Sequence, residues 1–310
     1  MALSASPAAL FVGAGLFIGF GVSGTSFSLV LAGVTRATPP ERRGMVLGFV
    51  SAGGSFGQFA MPLVAQGLIG EFGWLMALIV LSVCAGVMFP CAFGLARADR
   101  VVHETASSQT LGDALREAAT HNGYWLLNAG FFVCGFHVAF IATHLPAYLV
   151  SLNFTPMLGA WALATIGLFN IIGTFVFGFL SGRYRKKNVL STLYFSRSLV
   201  FTLFLLVPPS EISVLIASAG IGLLWLGTVP VTGSLVGQIF GPRYMATLFS
   251  IVMMSHQVGA FFGAWIGGYM FDLTGSYDVA WNMAILLGVV SAVLHLPIAD
   301  RPLRAEKETA

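Results

Sequence analysis

A chain of 310 residues that is 57% hydrophobic and only 9% charged is unlike a soluble domain, in which about 25% of residues carry charge. Its formal charge of +3 comes with no basic run interleaved with aromatics, which excludes a nucleic-acid binder, and three cysteines at unrelated spacings exclude a disulfide framework or a thiolate metal site. What remains is an integral membrane protein, and its spans are helices, because lipid cannot satisfy a bare backbone and the alternating ten-residue segments of a spanning barrel are absent.

A hydrocarbon core of about 30 Å takes about 20 apolar residues per helix, and nine stretches qualify: 9–33, 45–69, 73–96, 124–150, 157–181, 188–208, 212–240, 245–271 and 279–299. The first carries no charged residue and has no basic segment before it, so the N-terminus is expected outside and without a leader. The second holds Gln58 among Gly54, Gly57 and Pro62, and the third opens on Gly73-Trp74 and contains Cys84 and Cys91. Between 97 and 123 charges are mixed and Leu111, Ala114 and Leu115 give a short helical pattern, as in a linker joining two bundles; no glycine-rich nucleotide loop is present.

The fourth span holds Cys134, His137 and His144, and the seven-residue interval puts both imidazoles on one helical face. Asn170 lies in the fifth span, Arg197 in the sixth, Trp225 and Thr228 in the seventh, His256 and Gln257 in the eighth, and His295 near the end of the ninth. All three cysteines are read as lipid-side or packing residues, His295 as interfacial, and His103 and His121 as without a role. The expected domains are a partial three-helix bundle over 1–96, a cytoplasmic linker over 97–123, a six-helix bundle over 124–300 and a cytoplasmic tail over 301–310.

Every lysine and arginine except Arg197 falls on alternate loops, after the first, third, fifth, seventh and ninth spans. The positive-inside rule makes those segments cytoplasmic, the C-terminus included, in the plasma (cell inner) membrane. The beginning and end of the chain also match when shifted by about 202 residues: Gly24-Thr25 with Gly227-Thr228, Gly57 with Gly259, Phe59 with Phe261, Gly73 with Gly275, and Arg43 with Arg243 before each copy. Such repeats are common in transporters. If the first three spans pair with the last three, the unit without a partner implies three helices before Met1.

The segment GFLSGRYRKK, Gly178 to Lys187, resembles the basic loop between helices eight and nine of the major facilitator superfamily, with Gly182 where that family has an acidic residue. ERRGMVLGFVSAGGSFGQFAMP, Glu41 to Pro62, with Gly73-Trp74 and the late DLTGSY, Asp272 to Tyr277, is similar to the oxalate/formate antiporter and monocarboxylate porter branch. The resemblance covers nearly the whole chain. It implies an all-α membrane protein of major-facilitator-type helical bundles, the nine spans corresponding to helices 4 to 12. It further implies transport of small organic anions, with a proton or a counter-anion as coupling partner. Neither helix eight nor helix eleven carries the cation some members of the branch use.

Candidates follow from depth, since a carrier binds near mid-membrane. Arg197 is the one formally charged side chain near the middle of a span. It reads as a bidentate ligand for a substrate carboxylate, or equally as a structural anchor on helix-end carbonyls. His137 and His256 are substrate-binding candidates, and His137 and His144 are candidates for a coupling proton. An interhelical hydrogen bond is the plainer role for each. Gln58, Asn170, Gln257 and Thr228 would complete a polar cavity, or serve helix packing, with Trp225 and Phe136 as its walls. Arg183, Arg185, Lys186 and Lys187 would form a conformational latch, or only set topology.

The expected function is therefore secondary active transport of a small, monocarboxylate-like organic anion by alternating access, with no cofactor, metal or catalytic residue. The alternatives are a non-transporting partial chain and, more remotely, an integral membrane enzyme, for which no cluster of catalytic groups is visible.

Overall fold

A computed structural model describes residues 6–24, 30, 43–90, 110–241 and 243–303. The expectations for Arg36, Arg42, Cys91, Arg97, Arg100, His103, Arg304 and Lys307 lie outside the described residues. Among those described there is no strand, and seven helices are long and apolar enough to cross a membrane.

The chain divides into two compact units, Met1–Gly54 with Val64–Ser107, and Ser55–Leu63 with Ser108–Ala310. In the first, helix α1 (Pro7–Leu10) continues through a π-helical stretch, Phe11–Ile18, into α2 (Gly19–Gly24). Helix α3, Arg43–Gly86, is two helices joined at Gly73, whose φ of 78° lies outside the helical region. Such a positive φ is open to glycine at little cost, and it falls between the second and third expected spans. The large apolar side chains of this unit, Phe11, Phe17, Phe20 and Phe72 among them, are exposed, as expected of helices whose solvent is lipid.

The second unit begins with α4 (Leu111–Thr120), the short helical pattern read in the linker. Thr110 and Asp113 close its N-terminus as a reciprocal capping box, satisfying two backbone donors that a helix start leaves open. The Thr110 hydroxyl, donating to Asp113 Oδ2 at 2.6 Å, and the Thr110 N–H beside it hold the Asp113 carboxyl below the usual carboxylate range. Six spans follow: α5 (Asn122–Ser151), α6 (Pro156–Arg183), α7 (Lys186–Leu206), the pair α8 (Glu211–Leu223) and α9 (Thr228–Phe240), α10 (Met245–Thr274) and α11 (Asp278–His295).

Lipid tails are as apolar as leucine, so membrane helices are held by close packing and hydrogen bonds rather than by flight from water. Glycines set the three main pairings of this unit. A Cβ at Gly135 would run into the His256 carbonyl, one at Gly259 into the Phe132 carbonyl, and one at Gly263 into that of Phe136, so α5 and α10 touch backbone to backbone. In the same way Gly173 meets Leu223 and Gly222 meets Ile166, joining α6 to α8, while Gly288 makes room for the Ser198 hydroxyl, joining α11 to α7.

Two features depart from expectation. The span read as continuous over 212–240 is broken at Leu224–Gly227. Pro230, in the first turn of α9, has no N–H to give the preceding turn and its ring crowds the carbonyl four residues back, so the helix stops and restarts. His295, read as interfacial, is fully buried. The absence of a side chain at Gly130 makes room for its ring, which stacks on Tyr194 at 5.0 Å while Nδ1 pairs with the Ser291 carbonyl at 2.7 Å.

Candidate functional site

The break in the α8–α9 span collects the polar groups of the second unit. A helix that ends inside a bundle leaves carbonyls without backbone donors, and Arg197, mid-way along α7 and wholly buried, takes this role. Its Nη2 donates to the carbonyls of Trp225, at 2.6 Å, and Leu224. Nη1 faces the Cys134 thiol at 3.9 Å, the guanidinium lies 5.4 Å from the centre of the Tyr194 ring, and Nε has no partner. Among the described residues no carboxylate reaches Arg197, the ion pair found being Arg185 with Asp300.

On the other side of the break, Asn170 Oδ1 accepts from the Leu226 N–H at 3.0 Å and from Thr174 Oγ1 at 3.4 Å. Its Nδ2 donates to Ser55 Oγ at 3.2 Å and Gln58 Oε1 at 3.3 Å. One carboxamide thus joins the broken span to the 55–63 segment within this unit.

Thr228, the first residue of α9, is buried with Oγ1 3.2 Å from Cys134 Sγ. The His256 carbonyl faces Gly135, the residue after Cys134 on α5, and the His256 Nδ1 lies 3.3 Å from Oε1 of the exposed Gln257. His137 is fully buried three residues along α5 from Cys134, which faces Arg197. Its Nε2 pairs with the Ala284 carbonyl at 2.8 Å, its Nδ1 has no partner, and its ring stands edge-on to Phe201 at 5.1 Å.

Arg197, His137, His256 and Thr228 therefore converge, with Asn170 and Gln58 across the break. His144 does not join them. It sits two turns further along α5, about 10 Å at 1.5 Å per residue, bonded through Nε2 to the Ala264 carbonyl at 2.7 Å beside Tyr277. Of the expected walls, Trp225 and Phe136 are both buried, Trp225 in the break itself.

The four basic residues after α6 diverge in use. Arg183 is exposed in the last turn of α6. Arg185 grips Asp300 with Nη2 to Oδ1 at 2.7 Å and Nε to Oδ2 at 3.2 Å. Lys186 Nζ donates to Gln238 Oε1 at 2.5 Å, Gln238 Nε2 donates to the Asp300 carbonyl, and Lys187 Nζ donates to the Leu296 carbonyl at 2.7 Å. The acid that Arg185 meets is Asp300, beyond α11.

The family model of the Major Facilitator Superfamily matches residues 1–228 and 152–310. The chain belongs to this superfamily of transporters. Relatives within the superfamily include the Bacillus subtilis MFS-type transporter YcxA, 25% identical over 86% of this chain and 67% of its own length. Monocarboxylate transporter 13 of Rattus norvegicus is 25% identical over 93% and 67%, and monocarboxylate transporter 12 of Mus musculus 24% identical over 84% and 62%. The chain thus spans 62–67% of the length of these three relatives. Among solved structures, the E. coli fucose:proton symporter superposes with a TM-score of 0.60 at 17% identity, covering 93% of this chain and 79% of that one, which bears on the fold alone. The expected all-α major-facilitator fold and the resemblance to the monocarboxylate branch are borne out.

Sequence reading missed the break, Cys134 as a partner of Arg197, and Ser55, Gln238 and Asp300. The run GIGLLWLGTVP, Gly220 to Pro230, held the signal for the break, since glycine and proline inside an apolar span mark an interruption.

Proposed function

We propose that this superfamily member carries a small, monocarboxylate-like organic anion by alternating access, with the site centred on the α8–α9 break. The observation that carries the reading is Arg197, a buried mid-span guanidinium that no carboxylate among the described residues neutralises. A buried charge of this kind is costly and marks a substrate path. With Nη2 spent on two carbonyls and one N–H of Nη1 on the Cys134 thiol, Nε and the second N–H of Nη1 are the donors left for a carboxylate. His137, His256 and Thr228 stand beside it, Asn170, Gln58 and Gln257 supply further hydrogen-bonding groups, and His137 and His144 are the candidates for a coupling proton. The relatives named as monocarboxylate transporters favour the same substrate class.

In this reading the membrane is the plasma membrane with the C-terminus cytoplasmic, from the loop charges. The bundles divide as 1–96 and 124–300 around a 97–123 linker, and Arg183, Arg185, Lys186 and Lys187 with Asp300 latch one conformation. Counterflow of labelled lactate, formate and oxalate in proteoliposomes tests it. Exchange of at least one anion is expected, abolished in Arg197→Ala and weakened in Arg197→Lys, which keeps charge without the fork. Folded wild-type protein that exchanges no anion would sink the reading in favour of a non-transporting chain, and folded Arg197→Ala that exchanges as well as wild type would take Arg197 out of the site.

A further inference from the structure

The Leu224–Gly227 break has the composition of a cation site. Helix α8 ends there with the negative end of its dipole, and unwound carbonyls at such interruptions are the groups with which discontinuous membrane helices hold sodium ions. Around this end lie the Leu224 and Trp225 carbonyls, the Thr228 hydroxyl and the Cys134 thiol, the last two 3.2 Å apart. Thr228 is fully buried, as are Cys134 and Arg197. The group seated against them is the guanidinium of Arg197, which enters from α7 and gives both carbonyls a hydrogen bond from one nitrogen.

We infer that Arg197 is a tethered cation occupying a monovalent-cation site built by the α8–α9 break, so that the protein needs no inorganic cation there. Two observations point the same way. The guanidinium has no carboxylate partner among the described residues, so carbonyl dipoles and the Tyr194 ring are what hold its charge in the bundle. The second end of the break is capped separately by Asn170, which leaves the cation only the carbonyl end to serve. This inference does not depend on the solute carried. A protein that exchanges no monocarboxylate would leave it standing.

The test is thermal unfolding of the purified full chain in detergent, as wild type, Arg197→Ala, Arg197→Lys and Arg197→Met, with choline, sodium, potassium and guanidinium chloride each titrated to low millimolar concentrations, far below denaturing ones. Wild type should respond to none. Arg197→Ala should start lower and recover several degrees with guanidinium or sodium but not with choline, because a ligand that binds the folded state raises Tm. Arg197→Lys should keep more stability than the similarly long but uncharged Arg197→Met. Should Arg197→Ala fail to fold, the comparison of Lys with Met decides. Equal stability of those two variants, an Arg197→Ala protein indifferent to every cation, or a sodium-stabilised wild type would each overturn the inference.

Discussion

Asn170 uses both ends of its carboxamide, and no other side-chain type of that length carries an acceptor and two donors together. Its oxygen holds the Leu226 N–H and its nitrogen reaches Ser55 and Gln58. Asn170→Leu fills a similar volume but leaves a buried backbone N–H without a partner, a loss of about 1–3 kcal/mol. A lowered thermal midpoint is expected. Gln58→Leu should cost less, because Asn170 keeps Ser55, and the double variant should fall short of the sum, since the two side chains share a bond. Additive losses would show that the carboxamides act separately. Polar residues such as Asn170, Arg197 and His137 were legible in the sequence because each interrupts an apolar run. The groups that Arg197 binds were not, because the carbonyls of Leu224 and Trp225 are backbone and look alike at every position.

At the scale of helices, glycine position decides what may be changed. Gly259 and Gly263 face the carbonyls of Phe132 and Phe136 across the α5–α10 contact, whereas Gly178 and Gly182 have open space where a Cβ would stand. Gly259→Ala must push two backbones apart and should cost about 1–3 kcal/mol, the usual range for overpacking. Gly178→Ala should be neutral or slightly stabilising, since alanine orders a helix better. Unfolding midpoints of the two variants check this, and a Gly259→Ala protein as stable as Gly178→Ala would refute the backbone contact. Length and hydropathy suffice to mark helices in lipid, and seven such helices stand among the described residues, but the break inside 212–240 left no mark in either. Sequence alone could not rank 37 glycines, since permissive and contact glycines differ only in what faces them. The joint between two helices at Gly73 and the turn at Gly275 are instructive: both residues take positive φ, 78° and 70°, at positions that the internal repeat pairs.

For the whole molecule, the basic loop poses a question of energy against function. The Arg185–Asp300 pair has an arginine side chain 60% exposed and an aspartate 7% exposed, and exposed pairs contribute little to stability because water screens them. Lys186, Gln238 and Lys187 nevertheless extend the pair into a chain of bonds joining the start of α7, the end of α9 and the segment after α11. A chain that ties three helix ends yet holds them weakly suits the latch proposed for these residues. Arg185 beside Asp300 holds its carboxyl below the usual carboxylate range. The sign follows: the contribution is complete above the unfolded aspartate value, about pH 4, and is lost as pH falls through the lower folded value. Near neutral pH the tie is therefore insensitive to protons. Asp300→Asn should leave the thermal midpoint at neutral pH almost unchanged but alter the rate of substrate counterflow severalfold, and Arg185→Gln should do the same. Whatever small stability difference the variant shows at neutral pH should vanish only as pH falls through the lowered folded value of Asp300. A variant whose midpoint falls sharply while the rate per folded molecule stays constant would make the contact a structural staple rather than a latch.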